Sequence, residues 1–318
     1  MINWEEKRLL VKISQLYYEQ GLTQSAISKK MGIYRTTISR YLKKARDEGI
    51  VTIKVNDDNE TYQLESELEQ YFNLKEVIVV PTSTTRLNQE KKALIGSAGA
   101  ELLKRIIKDD DVVGFAWGSS LGYMAEATKQ CKETNASFVP LVGGPGTMKT
   151  KHHVNTIVYT VAQEFNGTPY YIDAAAIVEK KETRDEIANS AYFRNIIDLW
   201  SKLSVAVVGI GNPIQSSNMV WSGFFGDKEI AELDNLKAVG DICSRFFDQD
   251  GNYVDTELTD RTIAIELEKL KELDYSIGIA ESIEKVPSIL GALRGGYINI
   301  LVTTDETARE LIANMPSN

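Results

Sequence analysis

Apolar residues at the front of the chain recur at helical spacing. Leu9, Leu10, Ile13, Leu16 and Tyr17 fall three or four apart and predict a helix from about Glu5 to Gln20. Gly21 is a stop signal, and Thr23 is placed to cap a second helix in which Ile27 and Met31 face inward while Lys29 and Lys30 face solvent. Gly32 tolerates the positive φ of a tight bend. A third helix is expected from about Arg35 to Gly49, with Ile38, Leu42 and Ala45 as its buried stripe. Beyond it, Ile50 to Val55 alternates like a strand, consistent with a wing. After the polar break at Asp57–Glu60, Leu64, Leu68 and Tyr71 predict a linker helix within residues 57–75. That helix could dock on the following domain or pair with its copy in a dimer.

From Glu76 onward, apolar runs and amphipathic stretches alternate. Strands are expected at 77–80, 112–117, 137–142, 170–172, 205–210, 275–280 and 298–302. Helices are expected near 88–108, 120–131, 152–166, 183–202, 262–272, 287–295 and 305–314. This alternation predicts an α/β domain with a mostly parallel sheet. The expected organisation is therefore an N-terminal all-α (winged) helix-turn-helix domain at 1–56, a linker helix at 57–75 and a C-terminal α/β domain at 76–318.

Charge sharpens the division. Residues 1–55 hold 11 Lys/Arg against 5 Asp/Glu, a net of +6, which leaves −15 for the rest of a chain whose total is −9. A basic front segment attracts phosphates, while an acidic remainder stays away from them. Arg35, Thr36, Ser39, Arg40 and Lys43 lie opposite the buried stripe of the third helix or at its N-terminal end, where a helix entering a major groove presents side chains. With Thr23, Gln24 and Thr37 they form the candidate DNA-reading set. Arginine can pair bidentately with guanine, and hydroxyls reach phosphates or base edges. Cys131 and Cys243 are far apart and form no metal pattern, which predicts buried free thiols in a reducing compartment. No apolar run approaches the ~20 residues of a membrane span, so a cytoplasmic protein with no membrane partner is expected.

Three strand ends in the large domain carry candidate chemistry. In GFAWGSS, a buried strand runs into Gly118-Ser119-Ser120 and then a helix, offering free N–H groups and hydroxyls to an anion. In PLVGGPGTMKTKHHVN, Gly143 and Gly144 permit close backbone approach to a ligand. His152 and His153, being adjacent, make a poor metal pair and read as exposed helix-start residues. In IAESIEKVPSILGALRGG, Pro287 suits a first helical turn and Gly295 its end, placing Lys285 just ahead of a helix N-terminus. It could hold an anion there or be a solvated lysine. VVGIGNP lacks the third glycine of a dinucleotide fingerprint. Asp248–Asn252 fails calcium-loop spacing and reads as a hairpin turn. With two histidines in all, no Ser-His-Asp or Cys-His constellation can be drawn, and no metal or cofactor is expected.

LTQSAISKKMGIYRTTISRYLKKAR, VVGFAWGSSL, VGDICSRFFDQDG and ILGALRGGYINILVTTDETARELI together resemble the SorC family of bacterial sugar-responsive transcription regulators, which includes DeoR-type regulators of bacilli. The resemblance covers nearly the whole length. It implies an effector domain related to sugar-phosphate isomerases and deaminases that senses rather than transforms. It also implies a sugar or sugar-phosphate effector, double-stranded operator DNA and a homo-oligomer, dimer or tetramer, commonly acting as a repressor of a carbohydrate-utilisation operon. On this chain the phosphate loop would be Gly118-Ser119-Ser120 with Lys285 in support. Gly143 and Gly144 would line the pocket, and Asp241 would take sugar hydroxyls or serve only as a turn residue. Two departures stand out. Many relatives have A-G-G-x-x-K where this chain has Ala280-Glu281-Ser282-Ile283-Glu284-Lys285, so two added carboxylates could weaken phosphate binding. Val142 occupies the place of a lysine that forms an imine in some relatives, which removes covalent capture from that side chain. A sugar-phosphate isomerase or deaminase with an accessory DNA-binding domain is the alternative, for which the strand-end loops offer no acid/base pair.

Overall fold

A computed structural model describes residues 3–53, 60–82, 87–212 and 226–316. The chain divides into two compact units, 1–58 and 59–318.

In the first unit, α1 (Trp4–Ser14) starts at Asn3, whose side chain accepts from the Glu6 N–H at 2.7 Å. The expected single helix to Gln20 instead widens into a π-helical turn over Gln15–Glu19. Thr23 caps α2 (Gln24–Met31) by accepting from the Ala26 N–H at 3.2 Å, and Gly32 ends that helix at φ 67°. The third helix, α3 (Arg35–Asp47), buries Ile38, Leu42 and Ala45. Ile13, Leu16, Ile27, Ile38 and Leu42 form the core where the helices meet, and Lys44 bonds Glu6 at 2.6 Å to tie α3 to α1. The expected wing strand is not formed over residues 50–53: the Val51 N–H donates to Ala45 O, so the segment turns back on α3 instead of extending into a ladder. Residues 54–55 lie outside the described residues.

The second unit opens with α4 (Glu60–Phe72), which docks Leu64 and Leu68 into the large core. Its Glu69 and Glu65 carboxylates accept from the Val77 and Val79 N–H groups at 2.8 Å each, on the open edge of β1 (Glu76–Val80). Four residues along a helix rise about 6 Å and two along a strand about 6.6 Å, so the two spacings match. The exposed edge of the strand is thereby satisfied by side chains.

The seven-stranded sheet has the order β1-β10-β9-β5-β2-β3-β4, and every neighbouring pair is parallel. The other members are β2 (Val112–Phe115), β3 (Ser137–Pro140), β4 (Thr168–Pro169), β5 (Val205–Gly209), β9 (Tyr275–Ile279) and β10 (Ile300–Thr304). From β2 the chain steps outward to β3 and β4, then returns to β5 on the opposite side of β2. The connections after β2 and β5 therefore diverge and leave a crevice beyond their carboxyl ends. The helices α5 (Asn88–Ile106), α6 (Ser119–Ala127) and α7 (Val154–Phe165) pack side by side on the sheet.

Several expected elements shift. The strand expected at 170–172 is the two-residue β4 just before it, because Ile172 N–H leaves the ladder for the Asn155 side chain. The helix expected at 183–202 is two, α8 (Lys181–Ala188) and α9 (Ala191–Ser201), divided where Ser190 caps the second. A further helix, α10 (Asp227–Asn235), has no counterpart in the sequence reading. The helix expected at 262–272 shortens to α11 (Leu267–Lys271), since Thr262 and Ala264 form bridges to Ile177 and Val142. The stretch VGDICSRFFDQDG also builds a small antiparallel sheet, β6 (Gly240–Ile242), β7 (Arg245–Phe247) and β8 (Tyr253–Val254). Residues 248–252 make the hairpin turn between β7 and β8, with Gly251 at φ 82°. No helix among the described residues is long and apolar enough to cross a membrane.

Candidate DNA-reading face and effector cleft

On α3 the residues opposite the buried stripe stand out from the domain. Arg35, Thr36, Ser39, Arg40 and Lys43 are exposed and Thr37 is half-buried. Among the described residues, none of the three cations is paired with a carboxylate. Thr23 spends its hydroxyl on the α2 cap, and Gln24 follows it, half-buried. Tyr34 was missed by sequence reasoning. It occupies the N-cap of α3 without a side-chain cap bond and is 84% exposed. A serine or aspartate there would support the helix, so the large aromatic ring gives up local stability to stand beside Arg35.

The crevice beyond β2 and β5 forms a cleft of about 560 Å³, open mouth included. Gly118, Ser119 and Ser120 line it from the start of α6, and Asp241 and Lys285 line it from the opposite loops. Gly118 sits at φ 141°, a conformation that favours glycine, and its N–H is held by His152 O at 3.1 Å. Lacking a side chain, it cannot cap α6. Among the described residues the N–H groups of Ser119, Ser120 and Leu121 therefore have no acceptor and remain available to an anion.

Lys285 is the N-cap of α12 (Val286–Arg294), with Pro287 in the first turn. Its Nζ donates to Ile210 O at 2.8 Å, which aims the ammonium at the end of β5. Burial lowers its pKa and Lys92 adds to this, while Glu281 and Asp241 pull the other way. Asp241 is buried, and burial raises its pKa to about 6, against the opposing pull of the Ser244 N–H and of Lys285. Its backbone bridges Gly211 in both directions, at 2.9 and 3.1 Å. A β-carbon on Gly211 would lie 2.0 Å from Asp241 Oδ1, so that glycine makes room for the carboxylate. The G-x-G of VVGIGNP is thus a lining of this cleft.

The expectation that Gly143 and Gly144 line the pocket does not hold for this cleft, which Val142 borders instead. Their N–H groups bond Ile263 O and Ala174 O, and a β-carbon on Gly143 would meet the Ala175 backbone at 2.6 Å. Gly143 is a glycine because two loops cross there, whereas a β-carbon on Gly144 would meet the His153 ring at 2.9 Å. His152 and His153 are half-buried rather than exposed; His153 Nδ1 accepts from the Asn155 N–H to cap α7, and burial lowers both pKa values. Cys131 and Cys243 are free thiols, of which only Cys243 is fully buried. The two added acids differ in consequence. The Glu284 side chain is exposed, whereas Glu281 is buried, its pKa raised by burial against the pull of Lys92, Lys285 and Lys91. Ser282 holds φ 111°, a conformation that favours glycine. Trp117, Cys243 and Ser244 also line the cleft and were not singled out from the sequence. Among the described residues no group of metal-ligating side chains is assembled.

A sugar-binding domain family matches residues 57–313, and a winged helix-turn-helix DNA-binding family matches residues 13–52. The sorbitol operon regulator of Klebsiella pneumoniae is 43% identical over 315 residues, 98% of this chain and 100% of that protein. The deoxyribonucleoside regulator of Bacillus subtilis (strain 168) is 31% identical over 312 residues, 98% of this chain and 99% of that protein. The crystal structure of the full-length sorbitol operon regulator SorC from Klebsiella pneumoniae superposes with a TM-score of 0.77, covering 98% of this chain and 100% of that one. The chain belongs to the SorC family of DNA-binding, sugar-responsive transcriptional regulators.

Proposed function

We propose that this protein represses a carbohydrate-utilisation operon by binding operator DNA through α3, and that a phosphorylated sugar in the cleft changes its affinity for that DNA. The observation that carries this reading is that one cleft at the sheet's switch point is lined by Lys285, Asp241 and the start of α6, three of whose N–H groups have no acceptor among the described residues. The N–H groups and the ammonium suit a phosphate, and the carboxylate suits hydroxyls. Arg35, Arg40 and Lys43, with Thr36, Thr37 and Ser39 between them, read and grip the operator. The regulator acts as a homo-oligomer on a two-fold site, as helix-turn-helix proteins commonly do. It carries out no turnover. A carboxyl near pH 6 is the one feature an isomerase would share, and a positioned second acid/base group is what such chemistry further needs.

Fluorescence anisotropy on DNA from upstream of the protein's own operon tests this, with competitor DNA present and a panel of sugars and sugar phosphates added in turn. Release of operator by one phosphorylated sugar is the expected result. Tight operator binding that no compound alters removes the cleft from regulation, and turnover of a sugar phosphate by the purified protein revives the enzyme.

A further inference from the structure

Two helices of the first unit begin in opposite ways. The helix α2 starts at Thr23, whose hydroxyl accepts from the Ala26 N–H at 3.2 Å. The helix α3 starts at Tyr34, whose side chain makes no cap bond. The Tyr34 carbonyl accepts from the Thr37 and Ile38 N–H groups at 2.9 and 3.0 Å, which any residue's carbonyl could do. Serine, threonine, asparagine or aspartate at that position stabilises a helix start, and tyrosine does not. The ring serves the fold in no other way. Among the described residues it is the most exposed of the large hydrophobic side chains, stacks on no other ring and lies under no cation. Departures from local preference of this kind gather where a site needs them.

The neighbours of Tyr34 define the partner. Arg35, Thr36, Ser39, Arg40 and Lys43 stand exposed on the same helix, in a segment of net charge +6 over residues 1–55. They offer cations and hydroxyls to a polyanion, and Tyr34 adds an extended apolar face that none of them has. Phosphates and most base edges take charge and hydrogen bonds. The group in a major groove that takes apolar contact is the 5-methyl of thymine. The residues that reach base edges are those at the N-terminal end of a recognition helix, where Tyr34 sits.

We propose that Tyr34 is a specificity-determining residue, its ring packed against the 5-methyl group of a thymine in the operator. This rests on the reading of α3 as the helix that enters the operator. A substitution that improves the start of α3 then impairs recognition, so stability and DNA binding move in opposite directions at this one position.

The test uses the full chain and an operator that it selects from random-sequence DNA, with binding read by competition anisotropy. The operator's thymines are replaced one at a time by uracil, which removes only the 5-methyl group. Wild type is expected to lose about threefold or more at one such position. Tyr34→Ser is expected to lose about tenfold on the unmodified operator and to become indifferent to that uracil, while Tyr34→Phe binds like wild type. The denaturant midpoint of the first unit is expected to hold or rise in Tyr34→Ser, which separates lost recognition from lost folding. The thymine contact is overturned if Tyr34→Ser leaves operator affinity intact, if Tyr34→Phe loses as much as Tyr34→Ser, or if no uracil has a cost that disappears with the ring. Should Arg35→Ala and Arg40→Ala also leave operator affinity intact, the reading of α3 falls with it. Should those two weaken operator binding, α3 keeps its role and only the Tyr34 contact is lost.

Discussion

The recognition helix and the effector cleft place polar groups on the molecule in opposite ways. On α3, Arg35, Arg40 and Lys43 are exposed, carry no carboxylate partner among the described residues and ride on a short local motif in which Thr23 caps one helix and Gly32 turns it into the next. In the cleft, the equivalent groups are half-buried or buried and drawn from chain segments far apart: Ser119 follows β2, Lys285 follows β9, and Asp241 arrives on a small separate sheet. The first arrangement attracts a polyanion at long range and costs the fold little. The second costs stability in the free protein, which a ligand can return on binding. Such a difference is what a switch requires, because an effector shifts an equilibrium only through unequal affinity for two states.

The largest expected effect would come from breaking the exposed face. Arg40→Ala should weaken operator binding by about 1–3 kcal/mol while reducing binding to random DNA only a few-fold. Equal losses on both DNAs, read by competition anisotropy, would make Arg40 a phosphate contact instead of a base reader. At the cleft, Lys285→Ala should collapse the ratio of operator affinities with and without a phosphorylated effector to one. A dose response identical to wild type would remove Lys285 from the site.

Asp241 sharpens the comparison through pH. Its folded pKa, about 6, lies above the ordinary value of 3.8, so the folded state binds more protons between those values. The cost of ionising it is present in full above pH 6 and fades as pH falls toward 4. Asp241→Asn should therefore melt higher than wild type at pH 7.5, by an amount worth on the order of 1–3 kcal/mol, and the difference should vanish near pH 4. A pH-independent difference would place the effect elsewhere. The smallest expected change is at the cap of α2: Thr23→Ala should cost the N-terminal unit about 1 kcal/mol, visible in its denaturant midpoint, with the melting of the second unit unchanged.

The same contrast decides what could be read from the sequence. Helices α2 and α3 were legible because cap, stripe and left-handed glycine all lie within some 25 residues. Gly118-Ser119-Ser120 was legible for the same reason, being a strand end and a helix start in one stretch. Lys285 was ambiguous until the sheet order brought it to that strand end. Asp241 was equally open until the bridge to Gly211 placed its carboxylate in the cleft. Gly143 and Gly144 lie outside this cleft's lining, and sequence could not show it, since a glycine where loops cross looks the same as one beside a ligand. Ser244 and Trp117 could not be found from spacing, because what marks them is burial without a side-chain hydrogen-bond partner among the described residues.

Reciprocity between the two sites tests the central claim most directly. The affinity of the protein for a phosphorylated sugar that releases operator would be measured by calorimetry with and without saturating operator DNA. The factor by which the effector weakens operator binding must equal the factor by which operator weakens effector binding. Equal factors, each between about 5 and 150, are the predicted result. An effector affinity that operator DNA leaves unchanged would contradict the account.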